Sequence, residues 1–175
     1  SPQRIVRSSG HSEAPKIAVD GNGAVHLVYG ESPDGPLKQY HIRYAHSEAG
    51  KDDFSEPAEI SGRHSEEFAS VNIPYLDLDG RNNLYVLWEI FPDGGIRPRG
   101  LGLTYSMDGG RKFAPPVIVP GSLDPETGFS GSQQGLYMKK IAVNRNGDIV
   151  IVNSTFKANE ASSIWLIRGR VSGTD

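Results

Sequence analysis

The sequence predicts an all-β chain assembled from repeats of one four-stranded antiparallel module. Three observations predict it. A hairpin pattern recurs three times. Glycine (21) and proline (12), out of 175 residues, punctuate short apolar stretches as turns punctuate strands. The second strand of each hairpin is apolar on both of its alternating faces, so it must be covered on both sides.

The hairpins are Ile17-Ala-Val-Asp-Gly-Asn-Gly-Ala-Val-His-Leu-Val-Tyr29, Leu76-Asp-Leu-Asp-Gly-Arg-Asn-Asn-Leu-Tyr-Val-Leu-Trp88 and Ile141-Ala-Val-Asn-Arg-Asn-Gly-Asp-Ile-Val-Ile-Val-Asn153. Each joins a short apolar run to a longer one through a turn rich in Asp, Asn and Gly, residues that tolerate the positive φ of tight turns. Val25, Leu27 and Tyr29 lie on one face of the second strand, with His26 and Val28 on the other. Leu84, Val86, Trp88 and Ile149, Ile151 repeat the first face; Leu87 and Val152 repeat the second. Ile42-Arg-Tyr-Ala45, Leu101-Gly-Leu-Thr-Tyr105 and Ile164-Trp-Leu-Ile167 read as third strands. Phe54-Ser-Glu-Pro-Ala-Glu-Ile60 and Phe113-Ala-Pro-Pro-Val-Ile-Val119 read as outer strands entered through proline, which cannot donate to a ladder and suits a sheet edge. The opening Ser1-Pro-Gln-Arg-Ile-Val6 reads as one more outer strand.

With the strands lettered A to D outward, the chain forms units of approximately 1–54, 55–113 and 114–175, each in D-A-B-C order. The equivalent turns at Asp20, Asp79 and Asn144 stand 59 and 65 residues apart. Four short strands per such period describe a β-propeller blade. About three blades are encoded, whereas propellers close with four to eight. The expectation is a half-ring, completed by further blades or by a second copy, with the opening D strand supplying the outer strand of the last blade. The start at Ser1 rather than Met fits a processed, tagged or excised segment.

Composition excludes several classes. At 37% hydrophobic and 22% charged residues the chain is neither globally disordered nor a coiled coil. A net charge of −3 excludes a strongly basic nucleic-acid binder. No apolar run approaches the roughly 18 residues of a membrane-spanning helix, and no signal peptide is visible. Without cysteine there are no disulfides, thiolate nucleophiles or cysteine-based metal sites. No metal or cofactor is expected.

Between the second unit's third and outer strands stands Ser106-Met-Asp-Gly-Gly-Arg-Lys-Phe113. A short carboxylate at Asp108 can accept from turn amides, Gly110 can take a positive φ and Phe113 can cover the blade base. The stretch matches Ser-x-Asp-x-Gly-x-x-Trp/Phe, the Asp-box of bacterial neuraminidase repeats. The first unit carries a worn copy, Ser47-Glu-Ala-Gly-Lys-Asp-Asp-Phe54, which keeps Ser47 and Phe54 in register. The chain therefore resembles the sialidase-like, Asp-box (BNR repeat) propeller superfamily. The resemblance implies blades of a six-membered ring, in which the boxes are structural and peripheral. The family's enzymes hold a substrate carboxylate with three arginines and attack with a tyrosine aided by a glutamate. Their Arg-Ile-Pro signature is absent: Asn72-Ile73-Pro74 has asparagine in the arginine place, and Ile96-Arg97-Pro98 is scrambled. No catalytic residue is carried across.

Alternating strand direction puts the D–A and B–C loops on one face, where ligand sites of this architecture gather. The successive D–A loops Ser9-Gly-His-Ser-Glu13 and Ser61-Gly-Arg-His-Ser-Glu66 echo one another, so His11 and His64, with Arg63, are candidates for the ligand or partner face. Asp93, Arg97 and Arg99 join them as a set able to meet a carboxylate or an acidic patch. His26, Trp88 and Trp165 read as packed strand residues. Asn153-Ser-Thr155 fits a glycosylation sequon.

These features lead to the expectation of a non-catalytic propeller segment that binds or scaffolds protein, in an extracytoplasmic setting. The partners would be further blades, a second copy or a larger complex, with carbohydrate as a further ligand class. The alternative is an exo-sialidase-type glycoside hydrolase whose site is completed by blades outside this chain.

Overall fold

The computed structural model describes residues 4–8, 10–62, 69–93, 95, 98–123, 139–154 and 164–171. These residues form three antiparallel sheets and no helix. Sheet 1 has the order β1 (His11–Val19), β2 (Val25–Ser32), β3 (His41–Ser47), β4 (Ala58–Glu59). Sheet 2 repeats it with β5 (Ser70–Leu78), β6 (Leu84–Phe91), β7 (Gly100–Ser106), β8 (Val117–Ile118). Sheet 3 contains β9 (Ile141–Val143), β10 (Asp148–Ser154) and β11 (Ile164–Arg170), with β10 in the middle.

One device builds all three hairpins. Asp20 Oδ1 accepts from the amides of Asn22 and Ala24, Asp79 Oδ1 from Arg81 and Asn83, and Asn144 Oδ1 from Asn146 and Asp148, at 2.8–3.0 Å. A short side chain that accepts from amides two and four residues on closes the turn locally. β1 and β5 share a second device, a register shift at Glu13/Lys16 and at Asn72/Tyr75. There Ala14 and Ile73 adopt φ of 52° and 55°, each followed by proline. A bulge of this kind re-aims the neighbouring side chains.

The sheets stack face to face. The residue series of β6 separates cleanly. Leu84, Val86, Trp88 and Ile90 join Val28, Ile42, Tyr44 and Ile60 of sheet 1 in one buried cluster. Tyr85 and Leu87 join Leu101, Leu103, Ile141, Ile149 and Ile151 in a second, which ties sheet 2 to sheet 3. β5 is the strand in contact with both neighbours. The double apolar face read from the sequence is thus the physical reason for the stacking, and Trp88 is wholly buried in it. Burial of such a side chain is worth about 3–5 kcal/mol against alanine.

Two expectations are corrected. The outer strands over Phe54–Ile60 and Phe113–Val119 shrink to Ala58–Glu59 and Val117–Ile118. Pro57 and the Pro115–Pro116 pair lack the N–H that a longer ladder needs. The opening segment forms no strand over its described residues, 4–8. It lies beside sheet 1, where Ser8 Oγ donates to Glu31 Oε1 at 2.6 Å.

Candidate functional site

The antiparallel registers gather residues 33–40, 60–62, 69, 92–93, 98–99, 119–123 and 139–140 at one end of the sheets. The hairpin turns and the Ser106–Phe113 turn lie at the other. The two bulges sit at the loop end of the innermost strands, and they bring their leading side chains together. Asn72 Nδ2 donates to Glu13 Oε1 at 2.6 Å, and His11 Nε2 donates to Glu13 Oε2 at 3.1 Å. The His11 ring meets Tyr40 edge-on at 6.2 Å. Gly30 leaves the room: a Cβ there would stand 2.1 Å from Asn72 Oδ1. Tyr40 is fixed from sheet 2, its amide donating to Ser70 Oγ at 3.1 Å and its carbonyl accepting from Val71 N at 3.1 Å. Burial raises the Tyr40 hydroxyl above its ordinary pKa, an effect the Glu13 charge reinforces. His11 and Glu13 remain over a third exposed, so the carboxylate–imidazole pair reaches solvent.

The structure thus places His11 inside β1 rather than in a loop, paired with Glu13. Asp93 is exposed in the 92–99 loop, and Arg99 is half-buried there, its amide donating to Ile90 O at 2.8 Å. Arg63, His64 and Arg97 lie outside the described residues, as does the proposed meeting of two histidines. Glu13 was not singled out by the sequence reading. Its signal was available, because Glu13-Ala-Pro15 precedes Asn72-Ile-Pro74 by one repeat length of 59 residues.

A second polar group lies deeper, between sheets 2 and 3. Lys140 Nζ donates to Glu89 Oε1 at 2.5 Å and to Asn153 Oδ1 at 3.1 Å, and Tyr75 Oη donates to Glu89 Oε1 at 3.3 Å. All four residues are buried. Burial raises the Glu89 carboxyl above its ordinary pKa, against the pull of the Lys140 charge. Burial and the Glu89 charge push the Tyr75 hydroxyl far up as well. Burial beside a carboxylate keeps the Tyr75 hydroxyl in its protonated form.

At the opposite end, Asp108 Oδ1 accepts from Ser106 Oγ at 2.8 Å and from the amides of Arg111 and Lys112 at 3.0 Å. Those bonds, led by the Lys112 amide, hold its carboxyl below the ordinary range. Gly109 and Gly110 take φ of 74° and 88°. Phe113 packs edge-on against Tyr44 of sheet 1, with centroids 4.8 Å apart. In the first unit, Ser47 Oγ donates to Lys51 O at 2.7 Å, with no carboxylate at the Asp108 place.

This stack of antiparallel sheets superposes on solved structures. The fold is that of a β-propeller. A protein of unknown function from Dyadobacter fermentans superposes with a TM-score of 0.65 at 18% identity, over 94% of this chain and 53% of its own. A Hadza microbial sialidase gives 0.61 at 11%, over 90% and 35%. An endo-arabinase from Bacteroides thetaiotaomicron gives 0.51 at 14%, over 99% and 60%. This propeller chain therefore spans between about a third and three fifths of those proteins. No protein-family model matches the sequence, and no curated protein matches it.

Proposed function

We propose that this chain is a non-catalytic segment of a sialidase-like, Asp-box propeller, and that it binds or scaffolds through its loop end, outside the cytoplasm. The observation that carries the reading is the state of the acidic groups. Glu13 is held between His11 and Asn72, and Glu89 is sealed against Lys140 and Tyr75. Among the described residues neither faces a second carboxyl group across an open cavity, the arrangement of most glycosidases though not of sialidases with a tyrosine nucleophile. Asn72 stands where the Arg-Ile-Pro signature of the resembled family has arginine. What remains is a solvent-reaching imidazole, carboxylate and carboxamide, groups that hydrogen-bond hydroxyls or a protein surface. The extracytoplasmic setting rests on the resemblance. The sialidase and arabinase relatives support a carbohydrate as one ligand class.

A second reading, an exo-sialidase-type hydrolase completed by further blades, is favoured by one feature: Asn72-Ile73-Pro74 keeps the Ile-Pro pair of the family signature, at the register shift of β5. A fluorogenic sialoside assayed on the full-length protein separates the two. We expect no turnover from acidic to neutral pH, and binding to a saccharide array or an immobilised protein partner that weakens about tenfold in Glu13→Gln. Sialoside turnover by the full-length protein would overturn the non-catalytic reading.

A further inference from the structure

Sheets 1 and 2 are held together differently at their two ends. At the loop end the hold is by hydrogen bonds: Asn72 to Glu13, Gln39 Nε2 to Ala69 O at 2.8 Å, the Tyr40 amide to Ser70 Oγ and the Val71 amide to Tyr40 O. At the turn end one such bond joins the hairpin turns, from Gly21 N to Asn82 Oδ1. Farther out, the Ser106–Phe113 turn of sheet 2 rests on sheet 1 through rings. Phe113 meets Tyr44 edge-on, and Gly110 lies so close that a Cβ there would stand 1.8 Å from Tyr44 Oη.

Tyr44 is itself seated on histidines. The register pairs His26 directly with His46, and Tyr44, two residues before His46, shares their face of the sheet. The Tyr44 ring lies nearly parallel to both imidazoles, 6.1 Å from His26 and 5.8 Å from His46. His26 is 1% exposed. Its Nδ1 stands 2.8 Å from Tyr44 Oη, and its Nε2 is buried with no hydrogen-bond partner among the described residues. Three carboxylates surround the cluster. Asp20 Oδ2 is 3.8 Å from His26 Nε2, Glu48 Oε1 is 3.9 Å from His46 Nε2, and Asp108 acts on Tyr44 from the turn above it.

The Asp20 charge favours the neutral tautomer with its hydrogen on Nε2, so Nδ1 accepts from Tyr44 Oη. Burial and the charges of Asp108, Asp20 and Glu48 keep the proton on that hydroxyl. A proton taken up from solvent at Nδ1 turns the acceptor into a donor. The Tyr44 hydroxyl then loses the atom it donates to, in a space that Gly110 leaves no room to swing through. Burial outweighs the attraction of Asp20 and Glu48 and, with His46 opposing as well, disfavours the charged imidazole. The ring therefore binds its proton more tightly once it reaches water.

We propose that His26 is an acid-operated latch: its protonation displaces Tyr44 and lifts the Ser106–Phe113 turn from sheet 1, baring the Tyr44 and Phe113 rings while the loop end stays clasped. None of the four loop-end bonds involves His26, so they serve as the hinge. The latch is independent of the binding or scaffolding role proposed above.

Amide exchange on the full-length protein tests the latch, each rate being divided by the intrinsic rate at that pH. As pH falls below 6.5, exchange of residues 106–113 should rise about tenfold per pH unit. The Tyr40 and Val71 amides at the loop end should stay level. His26→Gln still offers Tyr44 an acceptor but takes up no proton, and it should make residues 106–113 level as well. No rise at 106–113, an equal rise at both ends, or a rise that persists in His26→Gln would each overturn the latch. Where that variant fails to fold, the contrast between the two ends of the parent protein decides alone.

Discussion

Glu89 and Lys140 carry opposite charges into a space that excludes water, and the partners around them decide what a substitution costs. Removing one member of a buried pair strands the other. Glu89→Gln or Lys140→Met should each lower stability by about 3 kcal/mol, whereas Glu89→Leu with Lys140→Met should cost much less. Urea unfolding of the three variants checks the difference. The pH profile belongs to the same scale. His26 is buried with Nδ1 2.8 Å from Tyr44 Oη, and burial lowers its pKa from 6.5 despite the nearby Asp20 charge. The folded state therefore binds fewer protons there than the unfolded chain, and stability falls as pH drops below 6.5. Asp79, where turn amides, Asn83 and Tyr85 outweigh the effect of burial, and Asp108 are held below 3.8 and add a second loss beneath that value. Melting temperature against pH should show two steps, the upper one removed by His26→Gln. At this scale His26 was legible as a packed strand residue. Glu89 was not, because a charge in the run Trp88-Glu-Ile90 reads as a solvated position until its partner, 51 residues away, is placed beside it.

At the scale of elements, the turns were the most legible feature, since Asp20, Asp79 and Asn144 act through amides only two and four residues on. The outer strands were legible along their length, since Ser55 N and Ile60 N donate to His46 O and Ile42 O, and Ala114 N and Val119 N to Tyr105 O and Leu101 O; the prolines between them leave regular pairing over two residues. The bulges were legible as a pair only through the repeat length, and the positive φ at Ala14 and Ile73 is imposed by the sheet rather than by residue preference. The Ser106–Phe113 turn offers a paired test. Gly109 and Gly110 both have positive φ, but a Cβ at Gly109 meets nothing within 4 Å, whereas one at Gly110 would stand 1.8 Å from Tyr44 Oη. Gly109→Ala should cost about 1 kcal/mol of backbone strain. Gly110→Ala should cost at least about 2 kcal/mol more, because the Tyr44 and Phe113 rings must move. Thermal unfolding of the two variants reads the steric part by difference.

At the scale of the molecule, the two-sided apolar strands made sheet-on-sheet stacking readable before any coordinates, because a blade that is greasy on both faces has no other way to shed water. Which residues of neighbouring blades would meet was not readable. The contact of Asn72 with Glu13, and that of Gly21 N with Asn82 Oδ1 at 2.9 Å, depend on how far one blade rotates against the next. The described candidate residues divide accordingly: His11 is held by Glu13, which Asn72 binds across the sheets, while Asp93 stands on a loop whose course no local rule dictates. The clasps between sheets also run only between immediate neighbours, as Lys139 and the amide of Val143 do on Asp77. Among the described residues each module thus answers to the one before it and the one after it, with two separate apolar clusters rather than one common core. An ancestor could gain or lose whole modules by gene duplication or deletion at either end without redesigning an interior.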